Sequence, residues 1–203
     1  VVQILESLEA QDGLHIELIQ GDQEDSLLRI YQLDQFLPLS DAIPILENMG
    51  MRTIGERLFE IKKPDDHIVY LSEFSVEYQS MKDSNHLQQD CFHEALRRVW
   101  LKKAESDAFN QLVLLSQIQW FEVRILRAYA RYLKQIGFSL TEQYIQSTFS
   151  KFPNIAKQIV MLFHLRFDPA LDQARMKRFK EARKKLLESI SEVDTADQDR
   201  IIR

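Results

Sequence analysis

Four cations recur along "RILRAYARYLKQIGF" (residues 124–138): Arg124, Arg127, Arg131 and Lys134. Guanidinium and ammonium groups at this spacing share one edge of a helix and can hold phosphate, carboxylate or another anion. At about 100° per residue the four fall within an arc of about 80°. Ile125, Leu126, Tyr129, Ala130, Tyr132, Leu133 and Ile136 cover much of the rest, so the helix is apolar around more than half its circumference. That suggests a central place in a helical bundle, with the basic edge left facing solvent or carboxylates. A nucleic-acid contact, an anion site and a paired edge of a packed helix all stay open. The paired edge is favoured, because charge stripes are usually solvated or ion-paired faces.

Two other clusters invite chemistry. His86, Asp90 and His93 in "HLQQDCFH" (86–93) lie on one helical face, and imidazole with carboxylate binds zinc. A zinc site needs three or four converging ligands, and no second cluster follows, so a solvated polar face is the better reading. The run "RMKRFKEARKK" (175–185) is cationic enough for an acidic partner, yet Glu188, Glu192, Asp194, Asp197 and Asp199 follow it. A charge-patterned exposed helix accounts for both signs.

Catalytic patterns do not occur. The glycines at 13, 21, 50, 55 and 137 form no G-x-G-x-x-G and no P-loop. Nucleotide sites use such glycines for close backbone approach to phosphate. There is no G-x-S-x-G nucleophile elbow. Cys91 lies toward the apolar side of its helix with Leu87 and Ala95, a poor setting for a thiolate.

The chain of 203 residues is 45% hydrophobic, enough for one core or two small ones. Its 26 Lys+Arg against 31 Asp+Glu give a formal net charge of −5, which argues against a basic nucleic-acid binder. No apolar run approaches the roughly 18 residues of a membrane span. A single cysteine excludes an internal disulfide and fits the cytoplasm. The opening "VVQILESLEA" and closing "DQDRIIR" are both in helical patterns, without an initiating Met or a signal peptide, which reads as part of a longer protein.

The elements that must position these groups change texture near residues 80–86. "GLHIELIQ" alternates Leu14, Ile16 and Leu18 onto one face and predicts a strand. "SLLRIYQL" (26–33) predicts a second, after the turn "GDQED". "LSDAIPILENMG" (39–50) predicts a helix with Ser40 as N-cap, Asp41 in the first turn and Gly50 as the stop. Extended segments follow at 51–62 and 67–79. The order is a split β-α-β arrangement, an α+β module with a small antiparallel ferredoxin-like or ACT-like sheet and helices on one face. Beyond it, helices are expected at 87–103, 106–116, 118–136, 154–167 and 170–192, with another after a capping box "SLTE" in which Ser139 caps and Glu142 reaches back. The expected domains are 1–80 for the α+β module, whose first residues either complete it or belong to a preceding one, 86–192 for an all-helical segment, and 193–203 for the start of a linker or helix toward a further domain.

Three long stretches carry a family resemblance: "LPLSDAIPILENMGMRTIGERLFEI", "AESDAFNQLVLLSQIQWFEVRILRAYARYLKQIGFSLTEQYIQSTFSKFPNIAKQIVMLFHLRFDP" and the closing "DQDRIIR". They resemble the large NAD-dependent glutamate dehydrogenases of bacteria, continuously over roughly residues 25–170. The resemblance implies a piece of the long N-terminal half, an ACT-like module followed by a helical segment, upstream of the catalytic domain. It implies a parent reaction from L-glutamate and NAD to 2-oxoglutarate and ammonia, with NAD, catalytic lysines and dinucleotide fold outside this stretch. No catalytic, cofactor or metal residue is carried over. The implied partners are other domains and subunits of the same homo-oligomeric enzyme, without nucleic acid or membrane, with Arg124, Arg127, Arg131 and Lys134 as contact residues. ACT-like modules elsewhere bind amino acids near the first strand-helix turn, here "FLPLSD" (36–41), which makes Ser40 and Asp41 an effector candidate. The glycine expected just before the helix is replaced by Pro38 and Leu39, which argues against that site. An amino-acid sensor and an independent nucleic-acid binder are the alternative functions.

Overall fold

The computed structural model describes residues 4, 8, 12–19, 26–78, 86–170, 174–191, 193 and 195–202, with residues 86–89 described by backbone alone. The chain divides into two compact units, Val1–Asp107 and Ala108–Arg203.

In the first unit the elements run β1 (Leu14–Ile19), β2 (Ser26–Leu33), α1 (Leu39–Asn48), β3 (Met51–Lys62), β4 (Ile68–Tyr78) and α2 (His86–Trp100). The strands form one antiparallel sheet in the order β1-β2-β4-β3. The α+β class and the helix-on-sheet architecture are as the alternation predicts. The expected turn at 21–25 lies outside the described residues. Leu28, Ile30, Phe74 and Val76 are buried on one face of the sheet. Ala42, Ile45 and Leu46 of α1, and Phe92, Ala95, Leu96 and Val99 of α2, are buried with them at helical spacing. Tyr31 and Val69 point to the other face and cluster with Leu8, which is why β2 is buried on both sides there.

The start of α1 differs from expectation. Pro38 is the N-cap, at φ −56° and ψ 146°, and no side chain caps the helix. The Pro38 carbonyl accepts from the N–H groups of Asp41 and Ala42 at 2.9 and 3.0 Å. Leu39 therefore takes the first helical position, and Ser40 lies inside the helix. The proline fixes an extended entry that leaves Ser40 one residue too late to cap. Gly50 stops the helix as expected, at φ 83°.

The unit boundary at Asp107/Ala108 falls after α2, although the change in sequence texture falls before it. The reason is packing: α2 contacts β1 and α1. Arg97 Nη1 also donates to the Leu14 carbonyl at 2.6 Å, and Lys103 Nζ pairs with Asp12 at 2.7 Å. The helix read from sequence as the first of the helical segment completes the layer over the sheet.

The second unit contains a 3-10 turn (Ala108–Gln111), then α3 (Leu112–Ser116), α4 (Val123–Gln135), α5 (Glu142–Lys151), α6 (Pro153–Phe167), α7 (Arg175–Ile190) and α8 (Ala196–Ile202). The single helix expected over 106–116 is thus split. The helix expected from 118 begins only at Val123, because Gln117 adopts a left-handed φ of 57° that ends α3. Glu122 then accepts from the Gln119 N–H at 2.7 Å, holding the intervening turn. The cap of α5 is Thr141, which accepts from the Tyr144 N–H, two residues after the expected Ser139. Pro153 opens α6 at a position where its missing N–H costs nothing. α7 packs along α6, and α8 packs on α5 with Ile201 and Ile202 buried. Residues expected to begin a linker thus lie within this unit. Among the described residues no helix is long and apolar enough to cross a membrane.

Candidate functional site

α4 has a second apolar side that faces outward. Val123, Leu126 and Ala130 are buried. About 120° round the wheel, Tyr129, Tyr132 and Ile136 are exposed, Tyr132 by 57% and Ile136 by 61%. Tyrosine and isoleucine at i, i+3 and i+7 spacing form a stripe whether or not something covers it. Here the buried and the exposed residues share one broad apolar arc of about 180°, and the cationic edge lies on the remaining side. Phe163 and Phe167 of α6 stand beside the outer stripe, with ring centroids 4.9 Å apart. Together with Phe121, Ile125 and Ala128 they line an open, mainly apolar groove of about 610 Å³.

The cationic edge is not uniform. Arg127 is only 4% exposed, and its Nη2 donates to Asn110 Oδ1 of the 3-10 turn at 3.2 Å. This corrects the expectation that all four cations face outward. The apolar stem packs in the core while the guanidinium reaches a polar partner. Arg124 is exposed; its Nε donates to the Phe121 carbonyl at 3.1 Å, and its guanidinium lies 5.3 Å from the Trp120 ring centroid. Arg124 also lines the groove. Arg131 is exposed on the same edge. Lys134 donates to the carbonyls of Phe138 and Leu140 at 3.2 and 3.0 Å. Its ammonium thereby closes the C-terminal end of α4 around Gly137, whose φ is 84°. Glu122 Oε1 meets His164 Nε2 at 2.7 Å and ties the start of α4 to α6. That tie fixes the walls of the groove relative to each other.

The effector candidate in the first unit is not assembled. Ser40 and Asp41 are both exposed, and the Ser40 hydroxyl donates to Asp41 Oδ1 at 3.4 Å. Neither lines the cavities described here. A different depression of about 610 Å³ opens along β1 and β2, lined by His15, Glu17, Arg29, Tyr31 and His93 among others. The register places His15 opposite Tyr31 and Glu17 opposite Arg29. Tyr31 donates to Glu17 at 3.4 Å, and Arg29 Nε pairs with Glu73 at 2.8 Å. Burial holds the His93 imidazole below its ordinary pKa of 6.5, and its Nε2 is enclosed without a hydrogen-bond partner. Burial is also the main cause that raises the Tyr31 phenol.

Of the metal candidates His86, Asp90 and His93, and elsewhere among the described residues, no group of three potential ligands comes together. The His86 side chain lies outside them. The outward stripe of α4 was the residue set that sequence reasoning misassigned. Its signal was present: the apolar arc covers about half the wheel, more than one core contact needs.

Two family profiles match the chain, one lying in the first unit and the other mostly in the second. Residues 14–89 match the family profile described as "Glutamate dehydrogenase, ACT3 domain", and residues 104–169 match "Glutamate dehydrogenase, helical motif 3". The chain is 37% identical over 188 residues to an NAD-specific glutamate dehydrogenase of Halomonas elongata, covering 92% of this chain and 12% of that relative. It is 35% identical over 194 residues to the NAD-specific glutamate dehydrogenase of Pseudomonas aeruginosa, with the same coverage of 92% and 12%. A Mycobacterium tuberculosis relative of that description is 30% identical over 200 residues, covering 93% of this chain and 12% of its own length.

Proposed function

We propose, on the premise that this chain belongs to the glutamate dehydrogenase family and carries its ACT3 domain and helical motif 3, that it is a noncatalytic regulatory and assembly segment of an NAD-dependent enzyme. The parent reaction takes L-glutamate, NAD and water to 2-oxoglutarate, ammonia and NADH in the cytoplasm. The chain spans 12% of the length of these curated relatives, so the parent activity rests on residues beyond this stretch. Among the described residues, Gly13, Gly50 and Gly137 hold left-handed turns and helix stops, and Gly55 sits at a register shift in β3.

The observation that carries the assembly role is the outward apolar side of α4. Exposed aromatic side chains beside a second helix suit a protein contact far better than they suit water. The cations add a direction. Arg124 and Arg131 border that face, whereas Arg127 serves the core and Lys134 caps its own helix. In the full-length enzyme, Arg124→Ala/Arg131→Ala and Tyr132→Ser should each alter oligomer size or glutamate-oxidation kinetics. Unchanged size and kinetics in both variants would remove the assembly role.

A second reading, an amino-acid sensor, is favoured by the β1–β2 depression rather than by Ser40 and Asp41. Glu17 is an acceptor for an ammonium, and Arg29, Tyr31 and the unpartnered His93 Nε2 bracket it. Calorimetry of the full-length enzyme against a panel of amino acids, repeated with Glu17→Gln, tests it. Silence across the panel at millimolar concentration ends this reading.

A further inference from the structure

We infer that the groove between α4 and α6 receives an amphipathic helix of the same polypeptide, contributed from outside these 203 residues, with an apolar stripe flanked on one side by carboxylates. The inference rests on the assembly reading above and names the partner of that surface.

Shape comes first. The groove runs between two neighbouring helices tied by the Glu122–His164 pair, and a third helix fits such a trough by ridges-into-grooves packing. Along α4 the lining of the groove runs from Arg124 to Tyr132, which rises about 12 Å, roughly two helical turns. Tyr132 and Phe167, exposed by 57% and 62%, are the side chains whose burial would gain most. Large aromatics in desolvated pockets carry much of the energy of a contact at low entropic cost.

Charge selects the flank. Among the described residues Arg124 is the one cation lining the groove, and Arg131 follows within about 20° on the wheel. No carboxylate of the described residues lines it. A partner helix therefore meets cations along this edge, and Asp or Glu there matches them. A second copy of the same surface would bring arginine edges to an interface that offers no carboxylate. The relatives supply the remaining argument, since 88 of every 100 of their residues lie beyond the matched stretch, the complement of the 12% covered. A chain of that length offers ample further sequence from which to supply such a helix.

Photo-crosslinking of the full-length enzyme tests this directly. A benzophenone amino acid is placed at Tyr132 and, separately, at Phe167, and the crosslinked peptides are sequenced after irradiation. Both sites should join one peptide from another part of the same chain, migrating as a monomer under denaturing conditions, with apolar residues three and four apart beside Asp or Glu. Arg124→Glu should lower the yield at Tyr132 by about threefold or more, and Arg124→Lys should keep it, because the edge charge is reversed or retained. A covalent dimer joining the two Tyr132 regions, or no peptide captured at either site, overturns the inference. A captured helix lacking carboxylates, with yields indifferent to Arg124→Glu, overturns it as well. Glutamate-dependent NADH formation by the unsubstituted enzyme is measured alongside. Its absence would end the enzymatic reading alone, while an uncaptured groove in an active enzyme would end this inference alone.

Discussion

Arg127 Nη2 donates to Asn110 Oδ1 across 3.2 Å, with both residues buried, so a cation of the basic edge is a core strut joining α4 to the 3-10 turn before α3. Removing one partner leaves the other desolvated and less well satisfied. Arg127→Met should cost about 2 kcal/mol in urea unfolding of this chain. Arg127→Met/Asn110→Leu should cost less than the sum of the two single changes, because both polar groups then leave together. Arg124→Ala, at an exposed position, should stay within about 0.5 kcal/mol. Equal losses for Arg124 and Arg127 would contradict this division of the edge.

Gly137 gives a conformational test free of steric complication. Its φ is 84°, and a Cβ built there meets nothing within 4 Å. Gly137→Ala should therefore destabilise by about 1 kcal/mol from the left-handed backbone alone, and Gly137→Asn by less. Lys134→Met, which removes the bonds to the Phe138 and Leu140 carbonyls, should cost roughly 0.5 kcal/mol and add to the glycine effect incompletely. Thermal melts of the three single variants and of Lys134→Met/Gly137→Ala measure both.

Much of this was legible in the sequence, for reasons that differ by element. Alternation over "GLHIELIQ" placed β1 to within a residue, because a half-buried sheet enforces a period of two, and the run "SLLRIYQL" matches β2 end to end. Helix caps were read less well. Thr141 and Pro38 hold the positions assigned to Ser139 and Ser40, since several consecutive residues at each site can cap and only the backbone path chooses between them. The burial of Arg127 was hidden because a wheel treats arginine as polar throughout, whereas its stem is apolar and only its head needs a partner. The outward stripe of α4 was visible as excess hydrophobicity, but Phe163 and Phe167 come from another helix, and their arrival beside it is a tertiary fact.

The first unit carries a pH-dependent tie between β2 and β4. His67 Nδ1 pairs with Asp34 Oδ2, and Asp34 Oδ1 accepts from the Ile68 N–H at 2.9 Å. The bond to Asp34 raises the His67 pKa above 6.5; that contribution is full below 6.5 and is lost as pH rises through the raised folded value. The Ile68 N–H, then His67, lower Asp34 below 3.8; that contribution is full above 3.8 and is lost as pH falls through the lowered folded value. The pair thus supports the fold most between about 3.8 and 6.5. NMR titration should find His67 above its ordinary value, moving back toward 6.5 in Asp34→Asn. An unmoved titration would refute the pairing.

The groove separates local from global roles. Tyr132 and Phe167 are more than half exposed, so Tyr132→Ser and Phe167→Ser should each change the stability of the 203-residue chain by no more than about 0.5 kcal/mol. The same changes should lower the melting temperature of the full-length enzyme, where the face is covered. Equal small effects in both settings would mean that the face stays in water.

The most direct measurement of the central claim is made on the full-length enzyme carrying Tyr132→Asp and Phe167→Asp together. Sedimentation and glutamate-dependent NADH formation are recorded on the same preparation. The account predicts altered assembly or a reduced kcat, because two carboxylates in an apolar contact are costly to desolvate. Unchanged sedimentation together with unchanged kcat and KM would contradict it.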